Sequence, residues 1–369
     1  MRVAQVIDKL TAGGAQTLLV TFAEQARRRG TDVTVIVLWA NPRQFLVQRL
    51  ESAGARVVVL PGRRLFNVKR FLKMLRFFRS AQFDVIHTHL FHADILGAVV
   101  GRMTNTPVIS SLHNIATPPG KLRAFVWRSA VRHFCTCVIA VGQSVATAHE
   151  KWLGSLPCKV LSNPVQPVAG CSIEQRRELK QSLLGAADSR LILAVGMVAP
   201  QKAYQDLVAA CAPICVPGSG NFLAIAGDGQ PHHMAHLREV IEQSGAQVLA
   251  LGVREDVALL LGAADVFVMS SHWEGLPVAL LEAMSAGRAV VATSVGEVTN
   301  VLSDGAGILV PPGDIEQLRE AIRGMLDDAG RRQHYGETAR RRVAEQHDPA
   351  VWFDSQLKLY AAATAAPTI

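Results

Sequence analysis

Three short signatures of common active sites are missing from this chain of 369 residues. It has no Gly-x-Gly-x-x-Gly loop, which argues against a nicotinamide-dependent enzyme. It has no Asp-x-Asp pair, so a metal-bridged diphosphate is not expected, and neither a metal nor a cofactor is predicted. No serine lies in a nucleophile-elbow pattern, which argues against a Ser-His-Asp hydrolase.

Cysteine is scarce, and long apolar runs are absent. None of the six cysteines forms a Cys-x-x-Cys pair, so reduced thiols are expected rather than a zinc site. They are Cys135, Cys137, Cys158, Cys171, Cys211 and Cys215. No run of about 18 apolar residues occurs, and the first residues resemble a strand rather than a signal peptide. These features predict a cytoplasmic protein without a transmembrane helix.

Acidic residues are few in the first part of the chain, and the net charge of +8 is unevenly distributed. Residues 1–163 carry a net charge of +15, whereas residues 164–369 carry −7. Two parts of opposite sign favour two domains. The basic part requires an anionic partner: nucleic acid, an anionic membrane surface or a phosphate-bearing substrate.

Strand-like and helix-like segments alternate along the chain, which predicts α/β domains with parallel sheets. One βαβ unit is formed by a strand at Val3–Ile7, a loop at Thr11–Gly14, a helix at Ala15–Arg29 and a strand at Val33–Leu38. Further strands are predicted at Arg56–Leu60, Val85–His89, Pro107–Leu112, Val138–Val141 and Lys159–Leu161.

The alternation restarts after Asn163–Gly170, where Pro164 and Pro167 indicate a linker. We predict an N-terminal domain over 1–163, a second domain over 164–347, and a helix with a tail over 348–369 that packs back on the first domain. Two Rossmann-like, doubly wound domains that face each other across a cleft are the simplest architecture. Strands of the second domain are predicted at Leu191–Val195, Phe222–Ala226, Val248–Ala250, Val266–Met269, Ala289–Ala292 and Gly307–Val310.

Two glutamates flank the start of a predicted helix. Glu274 lies in the loop before the helix, Pro277 lies in its first turn, and Glu282 lies about a turn and a half inside it. Gly275 allows a ligand to approach the backbone closely. The helix N-terminus suits a phosphate, and carboxylates accept hydrogen bonds from sugar or ribose hydroxyls. The alternative is two solvated glutamates beside an ordinary helix.

Several motifs together resemble the family-4 (group 1) glycosyltransferases. The resemblance is most specific from about Gly227 to Ile322, in the motifs Ile225–Gly229, Leu251–Val257, Glu274 with Glu282, Ala292–Gly296 and Leu309–Asp314. Weaker matches elsewhere are Gly13–Gln16, His113–Asn114 and Asn163–Val165. The resemblance implies a GT-B fold and transfer of a sugar with retention of the anomeric configuration.

The resemblance also implies roles for residues at matching positions. Glu282 would bind the ribose hydroxyls, Glu274 the hydroxyls of the donor sugar, and Lys202 the diphosphate. His113 would lie near the donor sugar, and Gly14 would place its amide against the diphosphate. The other residues implied at the nucleotide-sugar site are Gly13, Gly252, Val253, Arg254, Gly275, Leu276, Pro277 and Val278.

Three positions depart from the pattern of the family. Met197 replaces the usual arginine, Ala203 replaces the glycine after Lys202, and Asn300 stands where many relatives carry a glutamate. Because Met197 removes one cation near the leaving group, a catalytically weak protein that binds a nucleotide sugar or a partner enzyme is an alternative. A sugar-nucleotide epimerase on the same architecture is another.

Several histidines lie outside these motifs. His87, His89 and His92 lie at the end of a predicted strand, where they suit substrate contact better than a metal site, because no carboxylate ligand is evident. His232 and His233 are expected on the surface.

Two stretches, Arg63–Arg79 and Lys121–Arg128, alternate basic with apolar residues. One interpretation is helices that pack an apolar face on the sheet and expose a basic face. Another is a peripheral membrane surface that meets anionic lipids and a lipid-linked acceptor at the inner face of the cytoplasmic membrane. Nucleic acid is a third interpretation, disfavoured because no binding module is visible.

These observations predict a retaining hexosyltransferase that takes its sugar from a nucleotide-diphosphate sugar. Uridine is the commonest base in the family that the chain resembles. The expected acceptor is a glycan or a lipid-linked molecule in bacterial surface polysaccharide assembly. Lys202 and preorganised N–H groups would stabilise the charge that develops on the leaving phosphate.

Overall fold

The computed structural model describes residues 1–11, 13–62, 67–117 and 120–365. The chain divides into two compact units. Unit 1 comprises Met1–Pro164 and Pro349–Ile369, and unit 2 comprises Val165–Asp348.

Strands and helices alternate through the first part of the chain. They are β1 (Arg2–Ile7), α1 (Gly14–Arg28), β2 (Asp32–Val37), α2 (Gln44–Ser52), β3 (Arg56–Val59), α3 (Val68–Ala81), β4 (Val85–His89), α4 (Phe91–Thr104), β5 (Val108–Leu112), α5 (Lys121–Phe134), β6 (Cys137–Ala140), α6 (Gln143–Leu153) and β7 (Cys158–Val160).

The alternation resumes in the second part. Its elements are α7 (Ile173–Leu184), β8 (Arg190–Val195), a short 3₁₀ helix (Pro200–Lys202), α8 (Tyr204–Cys211), β9 (Asn221–Ala226), α9 (Pro231–Ser244), β10 (Val248–Gly252), α10 (Val257–Ala263), β11 (Val266–Met269), α11 (Val278–Ser285), β12 (Ala289–Thr293), α12 (Val298–Val301), β13 (Ile308–Val310), α13 (Ile315–Asp327), α14 (Ala329–Gln346) and α15 (Pro349–Ala365).

Unit 1 is built on a parallel sheet of seven strands in the order β3-β2-β1-β4-β5-β6-β7. The central strands β4 and β5 are buried along their whole length, as expected for a parallel sheet covered by helices on both faces. The last helix, α15, packs against α1, where the Phe22 and Phe353 ring centroids lie 4.9 Å apart. Tyr360 of the same helix is fully buried. The end of the chain therefore completes the core of unit 1.

Unit 2 is built on a parallel sheet of six strands in the order β10-β9-β8-β11-β12-β13. Chain order reverses between β8 and β11, and a crevice opens at the carboxyl ends of the strands at such a switch point. Its core holds apolar residues of β8, β9, β11 and β12 together with those of α8 and α13. The loops that follow these strands are therefore anchored to a well-packed sheet.

The strand predictions agree closely with the structure. Every strand predicted from the sequence is present, and the bounds differ by at most two residues. One detail of the Glu274 region differs: α11 begins at Val278, and Pro277 is the residue that precedes it. None of the helices in the described ranges is both long and apolar enough to cross a membrane.

Candidate functional site

The loops that follow β8 and β11 meet at the carboxyl edge of the unit 2 sheet. The 3₁₀ helix after β8 ends at Lys202, and the loop after β11 carries Glu274. The His272 amide donates to the Gln201 carbonyl at 2.8 Å. The Ser270 hydroxyl donates to the Lys202 carbonyl at 2.8 Å. These two hydrogen bonds to main-chain carbonyls fix the two loops against each other at the switch point.

Glu274 is 5% exposed, and both oxygens of its carboxylate accept hydrogen bonds. Oε1 accepts from Lys202 Nζ at 2.6 Å and from Ser271 Oγ at 2.7 Å. Oε2 accepts from Gln201 Nε2 at 2.9 Å. A buried carboxylate requires such donors, because an unpaired buried charge is costly. The structure thus joins Lys202 and Glu274, two of the polar residues that the sequence singled out, into one ion pair.

Glycines allow the loops at this edge to approach closely. Gly296, at φ 51°, follows β12, and a Cβ there would lie 2.2 Å from the Glu274 carbonyl oxygen. Gly227 follows β9, and a Cβ there would lie 1.8 Å from the Gly196 carbonyl oxygen. Neither position can accept a side chain without moving the backbone, so the path of these loops depends on glycine.

The remaining residues predicted in this part lie along the same edge. Gly275, Leu276, Pro277 and Val278 are buried, and they lead into α11, where Glu282 is partly exposed. Gly252 ends β10, and its carbonyl accepts from the Gly227 amide at 2.8 Å. After Val253, the guanidinium of Arg254 contacts both carboxylate oxygens of Asp256 at 2.8 and 2.6 Å. The predicted residues from Lys202 to Glu282 therefore all lie along the carboxyl edge of the unit 2 sheet.

Sequence reasoning missed three residues of this site. Gln201 and Ser271 donate hydrogen bonds to the Glu274 carboxylate. The sequence could have indicated them by position, because Gln201 is next to Lys202 and Ser271 lies three residues before Glu274. Tyr204 is buried, and the described ranges contain no hydrogen-bond partner for its hydroxyl. A Cβ added at Gly196 would meet both that hydroxyl, at 3.0 Å, and the Lys202 side chain. The Tyr204 hydroxyl therefore lies near the aliphatic part of Lys202. Burial raises the pKa of Tyr204, so its hydroxyl remains a proton donor.

The three residues predicted in the first domain lie in unit 1. Gly13 precedes α1, and Gly14 is its first residue. The side-chain amide of Gln16 donates to the Lys9 carbonyl at 2.9 Å and ties the start of α1 to the loop after β1. His113 follows β5, and its Nε2 lies 3.0 Å from Nδ1 of His89. Burial lowers the pKa of His113 to about 4, so its ring is neutral near pH 7.

The prediction that His87 and His89 contact substrate is wrong for His87, which has no exposed surface. Strand alternation directs both side chains to one face of the sheet, where they enter a buried hydrogen-bond network with Ser111 and Tyr360. His92 instead pairs with Asp8, at 2.9 Å from its Nδ1. Within the described part of the chain, no cluster of three His, Cys, Asp or Glu side chains could hold a metal ion.

The departure at Met197 leaves an apolar side chain that is 58% exposed two residues after the end of β8. The departure at Asn300 places an amide 3.0 Å from Glu297 Oε2. Ala203 adopts a left-handed conformation, with φ 47°, which is why glycine would be favoured there. None of these three residues contacts the Glu274 carboxylate.

The basic stretch Arg63–Arg79 falls partly outside the described residues, because 63–66 are not described. The rest forms α3, whose exposed face carries basic residues together with Val68 and Leu72. Arg70 does not belong to this face, since it is buried and donates to the Gly62 carbonyl at 3.2 Å. On α5, Leu122 and Phe125 are 75% and 68% exposed. We define the exposed residues of α3 and α5 as the basic-apolar face.

Two family models match the chain, one in each unit. The model described as glycosyl transferases group 1 matches residues 175–342. The model described as glycosyltransferase family 4 matches residues 12–168.

Curated relatives align over most of the chain at low identity. An Escherichia coli UDP-Gal:alpha-D-GlcNAc-diphosphoundecaprenol alpha-1,3-galactosyltransferase is 25% identical, with 71% of this chain and 71% of the relative covered. A phosphatidyl-myo-inositol mannosyltransferase of Mycolicibacterium smegmatis is 26% identical, with 90% of this chain and 86% of the relative covered.

Solved structures share the fold over nearly the whole chain. Anabaena HepE, solved in complex with UDP-glucose, has a TM-score of 0.88 at 22% identity, covering 98% of this chain and 100% of that one. WaaG, described as a glycosyltransferase involved in lipopolysaccharide biosynthesis, has a TM-score of 0.74 at 19% identity, covering 99% and 100%.

Proposed function

The chain belongs to the group 1 glycosyltransferases and has the GT-B fold, and we propose that it transfers a hexose from a UDP-sugar to a lipid-linked glycan acceptor with retention of configuration. The observation that carries the proposal is the ion pair of the partly buried Lys202 with the buried Glu274 at the carboxyl edge of the unit 2 sheet. Ligands bind in the crevice outside the carboxyl ends of strands at a switch point.

The chemistry of a sugar nucleotide fits this pair. Cleavage of the anomeric bond leaves negative charge on the diphosphate, and an ammonium group stabilises that charge where it develops. Lys202 is a compact cation with three donors, of which Glu274 takes one. Glu274 has an acceptor site left for a sugar hydroxyl after its three donors are counted. The pair thus offers a donor to the phosphate and an acceptor to the sugar.

The other predicted residues keep the roles that the resemblance implies. Glu282, which is partly exposed on α11, would accept hydrogen bonds from the ribose hydroxyls. Backbone groups of Gly252 and Val253 would line the base pocket. In unit 1, the amide of Gly14 would meet the diphosphate, and His113 would contact the donor sugar. No metal is required in this scheme, because Lys202 and N–H groups supply the positive charge.

The choice of uridine and of a lipid-linked acceptor rests on similarity together with surface chemistry. The E. coli relative is named for UDP-Gal and a diphosphoundecaprenol acceptor, and HepE was solved with UDP-glucose. The basic-apolar face of unit 1 suits an anionic lipid surface, where such an acceptor resides. A role in bacterial surface polysaccharide assembly at the inner face of the cytoplasmic membrane follows from that acceptor.

A turnover assay on the wild-type chain tests the proposal. UDP release from UDP-glucose, UDP-galactose and their N-acetyl forms is measured with and without an undecaprenyl-diphosphate-linked sugar. We expect UDP release that depends on the acceptor, and a product with the anomeric configuration of the donor.

Three other outcomes would contradict the proposal. Conversion of the donor sugar without an acceptor would indicate an epimerase. Binding of UDP-sugars without turnover of any donor would indicate a catalytically weak binding protein. Turnover of nucleotide sugars with a different base only would refute the assignment of uridine.

A further inference from the structure

A buried polar network in unit 1 ends at His113. Each of its members other than His113 is at most 6% exposed, and they come from three strands and the last helix. They are Gln5 of β1, His87 and His89 of β4, Ser111 of β5, and Gln356 and Tyr360 of α15. The proposed transfer reaction uses His113 but gives the other members no part.

One branch of the network runs from α15 to His113 without interruption. Tyr360 Oη lies 3.2 Å from Gln5 Nε2, and Gln5 Oε1 lies 2.7 Å from His89 Nε2. His89 Nδ1 then lies 3.0 Å from His113 Nε2. A second branch leads away from His113, because His87 bridges Tyr360 Oη at 2.6 Å and Ser111 Oγ at 2.8 Å.

The positions of the protons in the network can be assigned by starting from the Tyr360 hydroxyl. The Tyr360 hydroxyl donates its proton to Gln356 Oε1 at 2.7 Å, so its oxygen accepts from Gln5 Nε2 and from His87 Nδ1–H. The Gln5 amide is thereby oriented with its oxygen toward His89. An amide oxygen can only accept, so the proton of His89 lies on Nε2.

The position of the proton on His89 determines the position of the proton on His113. Burial, together with the neighbouring histidines, holds the pKa of His89 well below its usual value, so the ring carries a single proton. Since that proton lies on Nε2, the bare Nδ1 of His89 accepts a hydrogen bond from His113 Nε2–H. His113 is also neutral near pH 7, because burial lowers its pKa to about 4. Its Nδ1 is therefore an unprotonated acceptor.

We propose that Gln5 and Tyr360 are positioning residues that fix His113 as the Nε2–H tautomer and present its Nδ1 to the substrate as a hydrogen-bond acceptor. This inference rests on the proposed contact between His113 and the donor sugar. An Nδ1 acceptor binds a sugar hydroxyl through its proton, whereas the other tautomer would donate to the same oxygen. The docking of α15 on the sheet sets the orientation of the Gln5 amide and, through it, the chemistry of His113.

The tautomer can be measured directly in the free full-length protein. Two-bond ¹H–¹⁵N correlation spectra of ¹⁵N-histidine-labelled protein distinguish Nε2–H from Nδ1–H rings, and a His113→Gln variant assigns the His113 signals. At pH 7 we expect the Nε2–H pattern for both His89 and His113. An Nδ1–H pattern for His113, or a charged ring, would overturn the inference. The spectrum needs no substrate, so this result does not depend on the proposed function.

Variants separate positioning from general packing. Gln5→Met keeps the volume of the side chain but removes the acceptor for His89, so mixed tautomers are expected at His113. Tyr360→Phe removes the group that orients the Gln5 amide and should also give a mixture. Ser111→Ala is the matched control: it removes one buried hydrogen bond of the second branch and should leave His113 unchanged.

Kinetics test what the tautomer does. Loss of one hydrogen bond to the sugar predicts a kcat/KM for the donor that is about fivefold to tenfold lower in Gln5→Met. An unchanged tautomer in Gln5→Met would overturn the positioning role. A wild-type kcat/KM in His113→Gln would instead overturn the contact between His113 and the sugar, which belongs to the proposed function.

Discussion

At the scale of single residues, the Glu274 carboxylate is the centre of the hydrogen bonds at the proposed donor site. Three side chains donate to it, and one of them is the Lys202 ammonium. The proposed diphosphate would bind through the two donors of the Lys202 ammonium that Glu274 does not use. The pair therefore keeps Lys202 in place before the ligand arrives, which avoids the entropy cost of ordering a long side chain on binding.

Gly296 offers a test of how much the site depends on the close approach of its loops. In Gly296→Ala, the new Cβ would lie 2.2 Å from the Glu274 carbonyl oxygen, so the Glu274 loop must move. We expect at least a tenfold loss of kcat and about 1–3 kcal/mol of lost stability. Kinetics and urea denaturation measure the two effects.

Gly305→Ala is the matched control, because Gly305 also has a positive φ, of 81°, but a Cβ there meets nothing within 4 Å. It should cost only backbone strain of about 1 kcal/mol and leave kcat unchanged. Equal losses of kcat in the two variants would show that the contact with Glu274 is not what requires glycine.

Which single residues matter was only partly predictable from the sequence. Glu274 was found from its spacing to Glu282 around a predicted helix start, and Lys202 from the resemblance to the glycosyltransferase family. Their partner Gln201 was missed, because its contact depends on the convergence of two loops separated by 73 positions in the chain. His87 was misjudged because a sequence does not tell which face of a doubly covered parallel sheet is accessible at the end of a strand.

At the scale of elements, β4 carries two buried, neutral histidines. Burial lowers the pKa of His87 to about 3 and that of His89 well below 6.5. The unfolded chain protonates both near pH 6.5, so the stability gained by keeping them neutral is present above that pH and lost as pH falls toward the folded values. Between pH 7 and pH 5 we expect the free energy of unfolding to fall by about 2 kcal/mol for each of them.

Urea denaturation at the two pH values measures this fall. His87→Gln should reduce it, whereas His236→Gln, at an exposed position of α9, should not change it. A free energy of unfolding that is the same at pH 7 and pH 5 would contradict the neutral state of these rings.

The basic-apolar face of α3 and α5 gives a second prediction at this scale. Lys69, Lys73 and Arg76 are exposed on α3 and lie on one side of the helix. A basic residue near an anionic membrane contributes about 1 kcal/mol. Changing all three to Glu should therefore weaken binding to vesicles with anionic lipids by about 100-fold or more.

Vesicle co-sedimentation at moderate salt measures this binding. The matched control changes Arg238, Arg331 and Arg341 to Glu, which alters the net charge equally at exposed positions of α9 and α14 in unit 2. Equal loss in both triple variants would indicate a nonspecific charge effect, and unchanged binding in the α3 variant would refute the membrane surface.

Elements were the most predictable level of this protein. The alternation of apolar runs and turn residues identified each strand, because strands of a doubly covered parallel sheet are continuously apolar. The start of α11 was placed one residue early, because proline favours the first helical turn but also fits the position before it. The packing of the last helix on the first domain was predicted, but the sequence pattern gave no indication that it places Tyr360 in the buried network.

At the scale of the whole molecule, each unit carries its own part of the proposed machinery. Unit 2 holds the Lys202–Glu274 pair at one edge of its sheet, and unit 1 holds His113 at the end of the buried network. The uneven charge of the two parts of the chain, visible in the sequence, corresponds to this division: the basic part holds the basic-apolar face.

Unit 2 also supplies an internal control for its own site. Lys180 forms a second buried pair with Asp265, also at 2.6 Å. Asp265 directly precedes β11, so this pair lies at the amino edge of the sheet, opposite to Lys202 and Glu274. Both pairs join a lysine to a carboxylate with little exposed surface, although Asp265 also pairs with Arg176. They differ in which edge of the sheet they occupy.

The kcat of Lys202→Met, measured beside that of Lys180→Met, tests the central claim most directly. Lys202→Met leaves the Glu274 carboxylate without a cationic partner among the described residues, whereas Asp265 keeps Arg176 in Lys180→Met. Each variant removes an ion pair with little exposed surface, so both should lose stability. Only Lys202 is proposed to meet the leaving diphosphate, so Lys202→Met should lower kcat by about 100-fold to 1,000-fold. Lys180→Met should retain kcat within about threefold. A Lys202→Met enzyme that is folded and turns over as fast as Lys180→Met would contradict the account.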